Sequence, residues 1–250
     1  MAIDEALFRS VQEGRFEAAV RAYSWRAPTI SVGYGQVMHE ILNVEKCTAL
    51  GIEIVRRPTG GGAVLHDEEL TYSVAGSLKS SLFGGVRESQ LKIALLLKRT
   101  LELLGLSAEI AAGPGRTVTA GGDSACFAAP SKCEITVDGK KIVGSAAAVR
   151  QGCFLQHGSI LLGDSHLRLV EFLKEGGSSI RERSASASSL LGRKVSSEEV
   201  LSLFKAACSE ILGQVLPAKD VASELALKAT IRQPETSAER KLAKEDSPEP

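Results

Sequence analysis

Three consecutive glycines, Gly60-Gly61-Gly62, follow Pro58-Thr59 between a strand-like run at 52–56 and the apolar Ala63-Val64-Leu65. Glycine tolerates positive φ and lets backbone approach a neighbour where any Cβ would collide. Three in a row between β patterns is more than a turn needs. The run is not a dinucleotide fingerprint, since the G-x-G-x-x-G spacing is absent, and no G-K-[ST] follows to make a phosphate loop. Two readings stay open: a flexible connection, or a place where backbone meets a ligand. Arg56 and Arg57 precede it and His66-Asp67 follow it. Side chains alternate along a strand, so only one of the two arginines can face a site.

Around this segment the chain alternates helical and β patterns. Residues 1–12 carry Ile3, Ala6, Leu7 and Val11 at helical spacing. Residues 16–25 form a loose strand pattern, and 29–34 a strand. A helix is expected over 38–50, closed by Gly51, and a strand over 70–78. Residues 89–106 give the clearest helix, with Leu91, Ala94, Leu97, Leu101 and Leu104 as its apolar stripe. A Gly-rich loop over 111–123 leads to Cys126. A hairpin then joins 133–137 to 142–148 through Asp138-Gly139. Two short β pieces, 153–155 and 159–162, flank His157-Gly158, and a short helix spans 167–174. A Ser-rich loop covers 176–189. The helix over 196–213 starts with a capping box of Ser196 and Glu199. The pattern is α/β (α+β), with one catalytic-type domain over 1–215, a short helical segment over 216–232 and a charged tail over 233–250 expected to be disordered.

The 250 residues carry thirty basic and thirty acidic side chains, and aromatics are 4%. No basic excess and few stacking platforms argue against a nucleic-acid binder. No apolar run is long enough to span a bilayer, and no secretory signal opens the chain, so no membrane role is expected. The five cysteines, Cys47, Cys126, Cys133, Cys153 and Cys208, contain no C-x-x-C pair. Neither zinc nor a disulfide framework is signalled, and a reduced cytoplasmic compartment is expected. Most free cysteines are small buried hydrophobes. Cys126 differs because it sits in a loop, with Lys140 and Lys141 flanking the next turn. A cation beside a thiol favours the nucleophilic thiolate. Spacing alone leaves open whether either lysine meets it.

The segments RRPTGGGAVLHD, SACFAAPS, GKKIVGSA and LQHGSILL together resemble the lipoate–protein ligase A superfamily, which shares its catalytic fold with biotin–protein ligases. They look like its cysteine-dependent octanoyl-[acyl-carrier-protein]:protein N-octanoyltransferase branch. MAIDEALF and WRAPTISVGYGQ match that family's opening helix and strand, and the likeness extends to about Gly213. The resemblance implies a mixed, largely antiparallel sheet packed with helices. It implies that Cys126 carries an acyl thioester, and that Lys141 lowers the pKa of that cysteine. It also implies that Arg57, Gly60, Gly61, Gly62 and His66 line an acyl pocket, with Gly144, Ser145 and His157 beside it. The implied donor is octanoyl-acyl carrier protein, and the acceptor is a lipoyl domain or the glycine-cleavage H protein. No cofactor and no metal are needed, because a thioester is already activated. Ala128 and Ala147 depart from the family's common Asp and Gln, and the family's first strand is missing before residue 1. The alternatives are an ATP-dependent lipoate ligase, an octanoyl amidotransferase between lipoyl proteins, and an inactive binder of acyl carrier protein.

Overall fold

The computed structural model describes residues 1–111 and 133–213. Cys126 and the segments expected over 216–232 and 233–250 lie outside the described residues. Two sheets form the frame. The larger has strands β1 (Ala18–Tyr23), β5 (Glu69–Ser77), β9 (Cys153–Leu161), β8 (Lys140–Arg150), β7 (Ile135–Val137) and β6 (Glu109–Ile110), in that spatial order. Every pairing in it is antiparallel. The smaller places β2 (Thr29–Val32) between β3 (Glu53–Arg56), its parallel neighbour, and β4 (Val64–His66), its antiparallel one. The glycine segment is the connection from β3 to β4. The mixed, largely antiparallel α/β architecture matches the expectation.

Period-two alternation sets the core. Leu70, Tyr72 and Val74 of β5, with Phe154 and Ile160 of β9, pack against α4 (Val86–Leu103) and α7 (Ser197–Leu212). Phe8 and Val11 of α1 (Ala2–Gln12) cover Ala75 and Leu155 on the opposite side of the sheet. A third cluster, with Ile30, Val32, Leu65 and Phe172, lies under the smaller sheet.

Several elements depart from expectation for identifiable reasons. Helix α4 starts earlier; Ala94, Leu97, Leu101 and Leu104 of its expected stripe are buried, joined by Ile93 and Leu96, whereas Leu91 is 47% exposed. The buried face is wider than the expected stripe because it packs against both the larger sheet and α7. The helix expected over 38–50 is two short ones, α2 (Met38–Ile41) and α3 (Val44–Ala49). Asn43 breaks it, its side chain accepting from the Lys46 N–H at 3.0 Å as an N-cap. The helix expected over 167–174 is a 3₁₀ helix, Asp164–Glu171. The loop expected over 176–189 holds α5 (Ile180–Arg183) and α6 (Ala187–Leu191). Strand β9 runs unbroken through His157-Gly158. Glycine is required there because a Cβ on Gly158 would collide with the Gly144 carbonyl oxygen across the ladder.

Candidate functional site: a buried polar face under the glycine segment

The face of β5 and β9 turned away from α4 and α7 carries Thr71, Ser73, His157 and Ser159, all buried. Burying polar groups is costly unless each finds a partner. The glycine segment and β4 supply several. Arg57 is 4% exposed, and its guanidinium donates to the Ser31 carbonyl (2.8 Å) and hydroxyl (2.7 Å) and to the carbonyls of Gly60 (3.2 Å) and Gly62 (2.7 Å). Arg57 thus ties the glycine loop to β2. Arg56 is exposed, as strand alternation demands. Gly61 has φ +94°, a conformation in which a side chain is strained. A Cβ on Gly33 would strike the Gly61 carbonyl oxygen, so β2 and the loop touch through two glycines.

His66 is held at both ring nitrogens. Nε2 lies 2.6 Å from Ser31 Oγ, and Nδ1 is 3.3 Å from Glu69 Oε1 and from Ser159 Oγ. The Glu69 carboxylate can only accept, so in the neutral ring Nδ1 carries the proton and Nε2 accepts from the Ser31 hydroxyl, whose oxygen also accepts from Arg57. Trp25 stacks on His66 at 4.5 Å and donates its indole N–H to Thr71 Oγ1 at 2.8 Å; Thr71 in turn donates to Glu69 Oε1 at 2.5 Å. One hydrogen-bond chain therefore runs from Trp25 to the glycine loop.

His157 is buried, with Nε2 2.5 Å from Thr59 Oγ1. Its Nδ1 has no partner among the described residues. Desolvation, reinforced by the Arg57 charge, pushes its pKa down to about 3, so the ring is neutral.

Lys141 is 1% exposed, and its Nζ donates to Glu134 Oε1 at 2.5 Å. A β-bulge sets its direction. Ile135 faces Val143 while Thr136 faces Lys141, so Ile142 is the extra residue. Ile142 and Val143 both enter the helix-side core. The simple alternation expected from KIVGSA is therefore broken at this point.

A cavity of about 20 Å³, room for about one water, lies among Arg57, His66, Thr71, Gly144, Ser145 and His157. A second, of about 60 Å³, shares Ser145 and Ala146 with it and is lined by Glu134 and Cys133. The structure thus gathers Arg57, His66, Gly144, Ser145 and His157 around one space. Gly61 and Gly62 close over it through Arg57 and Ala146. Ser145 turns its hydroxyl to the Tyr72 hydroxyl at 2.6 Å. Lys141 stands three residues before Gly144 on the same strand.

Sequence reading missed Glu134, Glu69, Ser31, Thr59 and Trp25. Glu134 had a signal: it shares a strand face with Thr136, which pairs with Lys141. The other four meet the site only through sheet pairing and loop contacts, which no local pattern reports.

The class defined by fold and site is a two-sheet catalytic domain with a glycine loop clamped by a buried arginine and a buried lysine on a neighbouring strand. The chain belongs to the lipoyl protein ligase A/B catalytic-domain family, whose model matches residues 1–209. Among relatives, the octanoyltransferase LipM of Carboxydothermus hydrogenoformans is 45% identical over 175 residues, 70% of this chain and 64% of that protein. The chain thus spans just under two thirds of that relative. The LipM of Kyrpidia tusciae is 38% identical over 236 residues, 90% of this chain and 86% of the relative. A lipoate-protein ligase A bound with ATP superposes with TM-score 0.73 at 29% identity, covering 93% of this chain and 88% of that one. The bipartite lipoate protein ligase of Thermoplasma acidophilum gives 0.72 at 27%, covering 95% and 89%.

Proposed function

We propose that this chain transfers an octanoyl group from octanoyl-acyl carrier protein, through a thioester on Cys126, to a lysine of a lipoyl domain or H protein. The Cys126 thiolate attacks the donor's thioester carbonyl, and the carbon–sulfur bond to the carrier breaks as its thiolate leaves and takes up a proton. The acceptor amine then attacks the acyl-enzyme. An amide forms, the bond to Cys126 breaks, and the ammonium proton returns to the sulfur. The observation that carries this reading is Lys141, a cation held almost wholly out of water on the strand that flanks the glycine loop. In such a site a cation stabilises a thiolate or an oxyanion far more than it does in water. The names of the octanoyltransferase relatives agree with it. His157, kept neutral by burial, supplies a polar wall and carries no charge to the thiolate. The small cavity accommodates an acyl chain only when its walls part, and Gly144 and Gly158 are the lining residues with the least side-chain bulk.

Intact-mass measurement after mixing with octanoyl-acyl carrier protein tests this. Wild type gains one octanoyl group, and Cys126→Ala gains none. Full transfer activity in Cys126→Ala would sink the reading. Similarity to the ATP-bound ligase favours a second one, in which an acyl-adenylate is the intermediate. Pyrophosphate release that depends on lipoate and ATP would select it.

A further inference from the structure

We propose that Glu134 is a positioning residue for the acyl transfer: its carboxylate is the counter-charge that holds the Lys141 ammonium in place while Cys126 is an uncharged thioester. This rests on the transfer reading above. Glu134 is 3% exposed and Lys141 1%, and Glu134 Oε1 accepts from Nζ at 2.5 Å. Both are fixed at the backbone. Lys141 is paired with Thr136 in the sheet, and its carbonyl accepts from the Ala185 N–H at 3.1 Å. Glu134 directly precedes β7, and its carbonyl accepts from the Ala111 N–H at 2.8 Å. The segment 112–132, which holds Cys126, leaves the described chain at Ala111 and rejoins it at Cys133. Both ends of that segment therefore meet beside Glu134.

Stability does not account for an ion pair so placed. Surface pairs such as Arg193–Glu199 are worth little, and a pair sealed from water must offset the desolvation of both charges, which apolar side chains of similar size avoid. The chemistry of the transfer does account for it. On the transfer reading, the Lys141 ammonium of the resting enzyme faces two anions, the Cys126 thiolate and Glu134. The thiolate then attacks the donor's carbonyl carbon, the carrier's sulfur leaves, and the charge of Cys126 is gone. Without Glu134, Lys141 would at that moment be a lone cation out of water, a state that buried ammonium groups leave by giving up a proton. With Glu134 the cation persists. It stabilises the oxyanion when the acceptor amine attacks the thioester, and the sulfur when the carbon–sulfur bond breaks and its electron pair returns to Cys126. Neither Lys141 nor Glu134 transfers a proton; the amine's proton goes to the sulfur. Glu134 therefore matters more to the second half of the reaction than to the first, in which the thiolate is itself a counter-charge.

Single-turnover measurements on the full chain separate the two halves. Octanoyl-acyl carrier protein loads the enzyme. Intact mass follows the gain of the octanoyl group and then, once an unmodified lipoyl domain is added, its loss to the acceptor. Glu134→Gln keeps the shape and an acceptor oxygen and removes the charge. Its second step is expected to slow by about a hundredfold and its first by no more than about fivefold. Glu134→Asp keeps the charge one methylene further from Nζ, and the same selective loss is expected at about tenfold. The second step is read only on molecules already acylated, so a partly unfolded preparation does not distort it. If Glu134→Gln does not fold at all, as urea unfolding shows, Glu134→Asp decides alone. Equal slowing of both steps, a loss confined to the first, or an unchanged second step overturns the proposal. If wild type gains no octanoyl group, the transfer reading itself has failed and this one falls with it.

Discussion

The two faces of the larger sheet are built from the same strands and solve opposite problems. Toward α4 and α7, β5 and β9 present Leu70, Tyr72, Val74, Phe154 and Ile160, which need only be covered. Toward the glycine loop they present Thr71, Ser73, His157 and Ser159, which must be both covered and hydrogen-bonded. The helix face gains stability from area removed from water. The loop face gains little that way and holds its groups in fixed directions. It is also where buried polar atoms go without partners among the described residues: Glu69 Oε2 and His157 Nδ1. The hydrogen-bond accounting is thus open on one face and closed on the other among the described residues.

The largest break in this comparison comes from Lys141. Lys141→Met leaves Glu134 as a buried carboxylate without its ammonium, a loss of about 3–5 kcal/mol of stability measured by urea unfolding. Acylation is also lost. The double variant Lys141→Met/Glu134→Gln recovers most of the stability and none of the acylation, which separates chemistry from folding. On the helix face, Leu97→Ala opens a cavity in a fully buried position and costs about 2–5 kcal/mol. There the rate per folded molecule stays at the wild-type value. A fall in that rate would show that the two faces are not independent.

This contrast also explains what the sequence could show. The helix face was largely legible, because period 2 in β5 and period 3.6 in α4 and α7 are local. On α4 the expected Ala94, Leu97, Leu101 and Leu104 are buried, and the pattern missed only that Leu91 stays exposed while Ile93 and Leu96 turn inward. The loop face was legible through motif likeness and little else. Arg57, His66, Gly144, Ser145 and His157 do meet around one cavity. Their partners Ser31, Thr59 and Glu69 come from separate elements, and the bulge at Ile142 that aims Lys141 depends on register with β7.

A third difference between the faces is a pH dependence. His157 has a folded pKa of about 3, below its ordinary value, because burial penalises the cation. The unfolded chain takes a proton near pH 6.5 that the folded chain refuses, so this contribution is complete above that pH and is lost as pH falls. Stability should drop by about 1.4 kcal/mol per pH unit below about pH 6 from this group alone. His166, also lowered by burial, adds a slope of the same sign. His157→Gln should therefore flatten the stability–pH curve between pH 5 and 6.5 without abolishing its slope. An unchanged curve would mean that His157 is not buried as a neutral ring.

The finest test falls on the glycine loop, where adjacent residues predict different outcomes. Gly61 has φ +94°, and a Cβ there would stand 3.3 Å from Arg57 Nη2 and 3.6 Å from Ala146 Cβ. Gly61→Ala should cost about 1–2 kcal/mol from left-handed strain, seen as a lower unfolding midpoint. Gly60 is exposed, and a Cβ there would meet nothing within 4 Å. Gly60→Ala should leave stability within about 0.5 kcal/mol of wild type. Any effect of Gly60→Ala on catalysis then has to come from something absent in the free protein. If the loop backs against the acyl group, Gly60→Ala raises KM for the octanoyl donor while the unfolding midpoint stays put. If KM and midpoint are both unchanged, the glycines serve the contact with Gly33 and the Arg57 clamp, and the loop face owes its acyl site to β8 and β9 alone.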